Sequence, residues 1–133
     1  MQPSILIVDD HEIVREGIRR LINRSRPVWE ICGEATSGGD AIEAAVKLHP
    51  QIIVLDITMP GMSGLEAAAQ ISKLCPDCRI LIFTMHDSER LTAEIRGVGA
   101  HGYVQKSQAA RDLVVAIERL LSGETFFTHQ PTN

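Results

Sequence analysis

Residues 5–10 read Ile-Leu-Ile-Val-Asp-Asp, a run of four apolar residues that ends on a pair of carboxylates. A second run, Ile-Ile-Val-Leu at 52–55, ends on Asp56, and the shorter run Gly-Tyr-Val-Gln at 102–105 ends on Lys106. Short apolar runs are typical of buried parallel strands, and open parallel sheets carry their chemistry at the carboxyl ends of the strands. The pattern therefore predicts three carboxylates and one ammonium at a single site.

The size and charge of the chain limit what it can be. Its 133 residues, 44% of them hydrophobic, suffice for one well-buried domain and are too few for two ordinary ones. The formal net charge of -4 argues against a dedicated nucleic-acid-binding module, which usually carries a basic face. We find no signal-peptide pattern and no run near the roughly 20 apolar residues of a membrane span. We therefore expect a cytoplasmic protein that does not contact a membrane.

The three cysteines form an odd set, which favours a reducing compartment over a secreted disulfide scaffold. Cys75 and Cys78 have the C-x-x-C spacing of redox and zinc sites. However, they lie between a predicted helix and a predicted strand, and the sequence has no second pair to complete a tetrahedral zinc site. We therefore favour incidental cysteines over a metal or redox site.

The chain alternates strands and helices with short connections, which is the pattern of an α/β fold. Right-handed crossovers and the apolar character of the first, third and fourth strands favour a five-stranded parallel sheet of order 2-1-3-4-5, with helices on both faces. Residues 29–35 alternate in polarity, so we expect the second strand at one edge. The fifth strand, residues 101–105, is predicted to form the other polar-faced edge. The third and fourth strands are predicted at 51–56 and 79–84.

Capping residues indicate where the helices begin. We expect one domain over residues 1–122, with its last helix at 109–121, followed by a polar tail or the start of an interdomain linker at 123–133. The predicted caps are Asp10 for the first helix, Ser37 with Asp40 for the second, Ser63 with Glu66 for the third and Asp87 for the fourth.

In the order 2-1-3-4-5, the first and third strands are neighbours, so Asp9, Asp10 and Asp56 can share one divalent cation. Carboxylate oxygens with water suit the octahedral preference of Mg²⁺, and a bound cation relieves the repulsion among the carboxylates. The alternative for each aspartate is a turn or a helix cap. For Asp10 taken alone, that alternative is at least as good as the metal site.

Beside such a metal, Asp56 is positioned as an in-line nucleophile toward phosphorus. Phosphoryl transfer depends mainly on positioning and charge neutralisation, and Lys106 can supply positive charge to the phosphoryl oxygens. Thr84 adds a hydroxyl at the end of the fourth strand. Its alternative is a β-branched residue that only finishes the strand.

Four stretches together resemble the receiver domain of two-component response regulators, over residues 4–121. The stretches are Ile-Leu-Ile-Val-Asp-Asp-His at 5–11, Ile-Val-Leu-Asp-Ile-Thr-Met-Pro-Gly-Met-Ser-Gly at 53–64, Phe-Thr-Met-His at 83–86 and Gly-Tyr-Val-Gln-Lys at 102–106. Within that family, Phe-Thr-Met-His-Asp at 83–87 and Gly-Ala-His-Gly-Tyr-Val-Gln-Lys-Ser at 99–107 most resemble the subgroup that carries a C-terminal LuxR-type helix-turn-helix.

This resemblance implies a regulatory domain, not an enzyme, that assists its own phosphorylation and dephosphorylation. Asp56 would accept a phosphoryl group from the phosphohistidine of a sensor histidine kinase or a phosphotransfer protein. Asp10 would ligate Mg²⁺ directly and Asp9 through water, with Asp56 and the backbone carbonyl of Thr58 as further ligands, and Mn²⁺ would be able to substitute. His11, by contrast, is expected to be an ordinary first-turn residue.

The resemblance also implies a switch. Lys106 would pair with the phosphoryl oxygens and Thr84 would hydrogen-bond one of them. Tyr103 would then turn inward and change the face formed by the fourth helix, the fifth strand and the last helix. The alternative for Tyr103 is an edge-strand tyrosine with its hydroxyl in water. The isomer of the Lys106–Ser107 bond stays open, because Ser107 stands where many receivers have proline.

The output predicted from the resemblance is transcription, through contact of DNA with a C-terminal domain outside this sequence, and the last two helices could support a homodimer. A stand-alone single-domain receiver in a phosphorelay is the alternative.

Two other classes of protein are disfavoured by the residues after the first strand. A phosphatase of the haloacid dehalogenase kind needs two aspartates separated by one residue, whereas Asp9 and Asp10 are adjacent. A flavin binder of the flavodoxin kind is disfavoured because the acidic loop after the first strand would repel its phosphate.

Overall fold

The computed structural model describes residues 3–86 and 88–127. Strands and helices alternate along these residues and are joined by short loops. The strands are β1 (Ser4–Val8), β2 (Glu30–Ala35), β3 (Ile52–Leu55), β4 (Arg79–Thr84) and β5 (Gly102–Gln105). The helices are α1 (Glu12–Ser25), α2 (Gly38–Leu48), α3 (Gly64–Leu74), α4 (Glu89–Gly97) and α5 (Ala109–Leu121), with one 3-10 turn at Lys106–Gln108 before α5.

The five strands form one parallel sheet in the order β2-β1-β3-β4-β5. This confirms the predicted topology, with β2 at one edge. In the register of the sheet, Val8 lies opposite Leu55, and Leu55 lies opposite Ile82. The residues that follow β1 and β3 therefore emerge side by side, at the carboxyl edge of the sheet.

Two hydrophobic cores hold helices on both faces of the sheet. Alternate strand residues face opposite ways, so Leu6 contributes to one core and Ile7 to the other. The first core contains buried residues of α2, α3 and α4, and the second contains buried residues of α1 and α5.

Among the described residues, no helix combines the length and the apolar character needed to cross a membrane.

Two of the predicted helix caps are confirmed. The Ser37 hydroxyl accepts a hydrogen bond from the N–H of Asp40 at 3.1 Å. The Ser63 hydroxyl accepts one from the N–H of Glu66 at 3.2 Å, and the Glu66 carboxylate accepts one from the N–H of Ser63 at 3.5 Å. This capping box fixes the start of α3 immediately after the loop that follows Asp56.

The predicted cap of the first helix is wrong. Helix α1 begins at Glu12, and its N-cap position is held by His11 without a side-chain cap. Asp10 instead turns its carboxylate toward the other acidic residues at the sheet edge. Asp87 lies outside the described residues, and the cap of α4 is Ser88, whose hydroxyl accepts from the N–H of Leu91 at 3.0 Å.

Three strands are shorter than predicted. Strand β2 begins at Glu30 because the preceding residue is held in a turn, where Trp29 N–H donates to the Arg26 carbonyl at 3.0 Å. Strand β3 ends at Leu55, which leaves Asp56 in the following loop, and β5 begins at Gly102. The peptide bonds among the described residues are all trans, the Lys106–Ser107 bond included.

The chain after α5 does not leave the fold at once. Gly123, with φ of 86°, ends the helix as predicted. Phe126 then pairs with Gly102 in a parallel bridge, and Phe127 is buried. Strand β5 is consequently not a polar-faced edge, and Tyr103 within it is fully buried. The division at residues 122 and 123 stays a prediction, although Phe126 and Phe127 pack on the fold.

Candidate functional site

The ends of β1 and β3 place two carboxylates side by side. Asp9 is 1% exposed and Asp56 is 4% exposed, so both are buried although each is ionisable. Their backbones are held by the sheet, since the Asp56 N–H donates to the Val8 carbonyl at 3.0 Å and the Asp9 N–H donates to the Ala35 carbonyl at 3.1 Å. The parallel register thus fixes the distance between the two acids.

A four-residue cluster of acidic and imidazole groups surrounds this point. One ligand atom from each of Asp9, Asp10, His11 and Asp56 lies within 4.8 Å of the others. The Asp10 Oδ1 atom is buried and has no hydrogen-bond donor among the described residues. It lies 3.1 Å from Nδ1 of His11, so the two groups are close without a well-aligned hydrogen bond.

This donor set fits Mg²⁺. Hard carboxylate oxygens are the ligands that this cation prefers, and the buried Asp10 oxygen is a polar atom whose burial costs free energy while it has no partner. A divalent cation would satisfy that oxygen and relieve the repulsion among the three carboxylates. The structure thus brings together the three carboxylates named from the sequence, and their role as metal ligands stays a prediction.

Lys106 supplies the positive charge of the site. Its Nζ donates to Asp9 Oδ2 at 2.8 Å and lies 3.4 Å from Asp56 Oδ1. Lys106 immediately follows β5, which is separated from β3 by β4. Its long side chain therefore extends past the end of β4 to reach the acids that follow β1 and β3. The ammonium sits nearer to Asp9 than to Asp56 and bridges the two.

The environment alters the pKa values of both partners. Burial, reinforced by the negative charge of Asp9, raises the pKa of Asp56 above its usual range, although Lys106 and the Thr58 N–H oppose this effect. Burial alone would lower the pKa of Lys106, but its hydrogen bond to Asp9 and the charges of Asp56 and Asp9 outweigh burial and raise it. Lys106 is therefore a permanent cation at neutral pH.

A small cavity opens beside Asp56. Its volume is about 210 Å³, and the Thr58 N–H at its wall donates to Asp56 Oδ1 at 3.4 Å. Thr84 is 1% exposed at the end of β4, where its hydroxyl accepts from the His86 N–H at 3.1 Å. The residues that line the cavity are His11, Asp56, Thr58, Met85, His86 and Lys106.

Tyr103 lies apart from the acids, within the hydrophobic core on the α4 side of the sheet. Its side chain is fully buried, together with Ile95 and Phe127. The alternative of an edge tyrosine with its hydroxyl in water is therefore wrong for this conformation. Its role as a switch residue stays a prediction, because the burial of the side chain does not by itself show a change of position.

The sequence reasoning missed two residues at the site. His11 Nδ1 lies 3.0 Å from Asp9 Oδ1, and the His11 N–H also donates to that oxygen at 2.9 Å. Arg15 Nη1 donates to the Asp9 carbonyl at 2.8 Å. The position of His11 directly after two strand-end aspartates was the available signal, since a side chain at that turn is held beside them.

The cysteines lie away from the acidic site. Cys75 and Cys78 are buried in the first core, at the opposite edge of the sheet. Burial, followed by the proximity of Cys75, raises the pKa of the Cys78 thiol to about 12. A thiol with this pKa stays protonated at neutral pH and is a poor nucleophile and a poor metal ligand.

Comparison with known proteins places these features in a family. The sequence model of the response regulator receiver domain matches residues 5–118. Response regulator UvrY of Escherichia coli (strain K12) is 36% identical over 123 residues, which are 92% of this chain and 56% of UvrY. The chain thus spans about half the length of the curated relatives it matches.

Two solved structures resemble the fold closely. A LuxR-family two-component response regulator from Aurantimonas sp. SI85-9A1 is 43% identical, with a TM-score of 0.89 over 95% of this chain and 89% of that one. The non-phosphorylated receiver domain of the stress response regulator RcsB from Escherichia coli is 26% identical, with a TM-score of 0.88 over 97% and 100%. These structures share the fold and the order of its elements with this chain.

Proposed function

Because this chain belongs to the family of response regulator receiver domains, we propose that Asp56 accepts a phosphoryl group from the phosphohistidine of a sensor histidine kinase or a phosphotransfer protein. One observation carries the proposal most directly. Asp56 is a buried carboxylate at the end of a central strand that faces a cavity of about 210 Å³, with an ammonium 3.4 Å away. A buried acid with an open face and a neighbouring cation is arranged for a nucleophilic role.

The geometry distinguishes the two oxygens of Asp56. Oδ1 receives the Thr58 N–H and faces Lys106. We assign Oδ2 as the nucleophile, since its lone pairs are not directed at these two donors. Oδ2 forms a bond to phosphorus while the phosphorus–nitrogen bond breaks, and the electron pair of that bond passes to the imidazole, which takes up a proton. The product on this chain is a mixed carboxylic-phosphoric anhydride at Asp56.

Lys106 and Thr84 act on the transferred group. The Lys106 ammonium, now bridging Asp9 and Asp56, is close enough to turn toward the phosphoryl oxygens and offset their charge. The Thr84 hydroxyl is both a donor and an acceptor, so it can keep the His86 N–H while it donates to a phosphoryl oxygen. These two residues hold the group in place.

A divalent cation supplies charge neutralisation to the phosphoryl oxygens when it is bound. We propose Mg²⁺, with Mn²⁺ able to substitute, held by Asp10, by Asp9 through water, by Asp56 and by the Thr58 carbonyl. The support is the orphaned Asp10 oxygen and the shared position of the four ligand atoms. In the same site, water can attack the anhydride, so the domain assists its own dephosphorylation.

The test is intact mass spectrometry after incubation with a small acyl phosphate and Mg²⁺. We expect one phosphoryl adduct on the wild-type chain and none on Asp56→Asn. Asp77→Asn, an exposed aspartate in the loop before β4, is the matched control and should be modified like the wild type. An adduct of equal size on Asp56→Asn, or no adduct on the wild type, would contradict the proposal.

The proposed output is transcription, through a C-terminal DNA-binding domain. The name of the Aurantimonas protein includes the LuxR family, and UvrY is longer than the part this chain matches. The gene sequence downstream of codon 133 tests this proposal. A segment with two closely spaced helices rich in Leu, Lys and Arg would support it, whereas a stop codon would favour a stand-alone receiver.

We also propose that phosphorylation promotes a homodimer through α4, β5 and α5, which sedimentation with and without the acyl phosphate would reveal.

A further inference from the structure

A short segment after α5, residues 124–127, reaches the outer edge of β5 and pairs with it through Phe126. We name it the C-terminal strap. The Tyr103 N–H donates to the Phe126 carbonyl at 2.8 Å, and the Phe126 N–H donates to the His101 carbonyl at 3.1 Å. The strap thereby satisfies backbone groups that an edge strand would otherwise present to another chain.

Side chains anchor the strap on both sides. Phe127 is 6% exposed, and the guanidinium carbon of Arg96, a residue of α4, lies 3.8 Å from the centre of its ring. Phe126 packs against the second core, where Arg119 of α5 lies 5.6 Å from its ring. Such cation–π contacts add to the area buried. The strap therefore joins α4, β5 and α5 into one surface.

The approach of the strap depends on a glycine in β5. A Cβ placed on Gly102 would lie 2.6 Å from the Phe126 carbonyl oxygen and 3.2 Å from the Phe126 nitrogen. Both atoms are backbone, so neither can turn aside as a side chain would. Any larger residue at position 102 would push the strap away from the strand.

The strap is connected to the acidic site through β5. Tyr103 donates its backbone N–H to the strap, and its side chain is buried in the same core as Phe127. Lys106, just beyond the end of this strand, bridges Asp9 and Asp56. Lys106 therefore connects the acids to the strand that holds the strap.

We propose that phosphorylation of Asp56 releases the C-terminal strap from the edge of β5; this rests on the function proposed for Asp56. A phosphoryl group competes with Asp9 for Lys106, shifts the end of β5 and weakens the two backbone hydrogen bonds to Phe126. The docked strap in turn stabilises the unphosphorylated state. Because coupling between two sites is reciprocal, loss of docking favours phosphorylation to the same extent.

Amide hydrogen exchange of Tyr103, measured by NMR on this chain, tests the release. Its N–H is bonded to the strap, so its exchange rate reports docking directly. With a small acyl phosphate and Mg²⁺, we expect exchange to become at least about tenfold faster, within the usual range of coupling. Asp56→Asn should show no change. Unchanged or slower exchange in a sample whose intact mass shows phosphorylated Asp56 would overturn the proposal.

Two variants test the reciprocal effect. Gly102→Ala should speed Tyr103 exchange without phosphodonor and increase the phosphorylated fraction at limiting acyl phosphate. Gly39→Ala, where a Cβ would meet nothing within 4 Å, is the control and should leave both unchanged. Phe127→Ala removes an anchor of the strap without altering β5. It replaces Gly102→Ala in this test if that variant does not fold, and the same two increases are expected.

The two hypotheses fail in different ways. If Gly102→Ala and Phe127→Ala both leave the phosphorylated fraction at its wild-type value, the strap is not coupled to Asp56, although Asp56 remains a phosphoacceptor. If the wild-type chain forms no adduct at all, the function proposed for Asp56 fails, and the release of the strap fails with it.

Discussion

At the residue scale, Lys106 holds together groups that would otherwise repel. It contacts Asp9 and Asp56 at 2.8 Å and 3.4 Å. Lys106→Met removes a cation that competes with Mg²⁺ for these carboxylates. We expect the Mg²⁺ affinity to rise at least about fivefold, since a unit charge about 4 Å away is worth ~1 kcal/mol even in water. The extent of phosphorylation should nevertheless fall, because the phosphoryl oxygens lose their partner.

Calorimetric titration of Mg²⁺ and intact mass after exposure to acyl phosphate measure these two effects. Lys73→Met, on the exposed surface of α3, should change neither. A weaker affinity for Mg²⁺ in Lys106→Met would mean that the lysine supports the metal site instead of competing with it.

The raised pKa of Asp56 predicts a dependence of stability on pH. An acid whose pKa is higher in the folded state than in the unfolded state binds a proton more readily when folded. Its ionised form therefore costs stability above the folded pKa, and this cost disappears as the pH falls toward the ordinary value of 3.8. Without Mg²⁺, Asp56→Asn should be more stable than the wild type at neutral pH, and the difference should shrink on acidification.

Thermal denaturation in the presence of a chelator measures this difference. Asp77→Asn provides the exposed control and should follow the wild type across the same range. A variant Asp56→Asn that is less stable than the wild type at neutral pH would show that the charge of Asp56 is compensated in full by Lys106.

At the scale of elements, the start of α3 positions the loop that carries Asp56. A Cβ on Gly64 would lie 2.0 Å from the Asp56 carbonyl oxygen, a contact that only movement of the backbone could relieve. Gly64→Ala should therefore destabilise the fold by roughly 1–3 kcal/mol or more. Gly17→Ala, inside α1 with open space around it, should stabilise the protein by about 0.5–1 kcal/mol. Urea denaturation compares the two, and equal stabilities would contradict the close approach at Gly64.

The elements also show what sequence reasoning could predict. The Ser63 cap was predictable because its partner, Glu66, lies three residues away in the sequence. A hydrogen bond between such near neighbours depends little on the rest of the fold. The role of Asp10 was not decided by local signals, since the same residue could cap α1 or join the acid cluster. The strap was missed because Phe126 and Phe127 form no periodic pattern, and their burial depends on the space that Gly102 leaves in a distant strand.

At the scale of the whole molecule, binding of a cation at one edge of the sheet should stabilise the entire domain. A ligand that binds only the folded state contributes ~2.7 kcal/mol at a concentration of 100 times its Kd. For a domain of this size, we expect Mg²⁺ at that concentration to raise the Tm by roughly 10 °C. Scanning calorimetry with NaCl at matched ionic strength is the measurement. Asp10→Asn should lose most of the increase, and an undiminished increase would place the cation elsewhere.

The whole topology was predictable because each of its determinants is a long pattern: apolar runs, helical periods and the handedness of crossovers. The acidic cluster followed from that topology, since parallel neighbours bring their ends together. The distance of Lys106 from each acid did not follow, because it depends on the rotamer of a long side chain.

The order of the strands has a consequence for how this chain is made. Synthesis runs from the N-terminus, so β1, β2 and β3, which adjoin one another in the sheet, are available before β5. The three carboxylates can therefore meet while the lysine that neutralises two of them is still to be translated. A nascent chain that ends before residue 106 lacks the ammonium that bridges Asp9 and Asp56. Until the last strand forms, the charge that Lys106 later provides must come from cations in the surrounding solution, such as magnesium, and from Arg15, whose Nη1 donates to the Asp9 carbonyl.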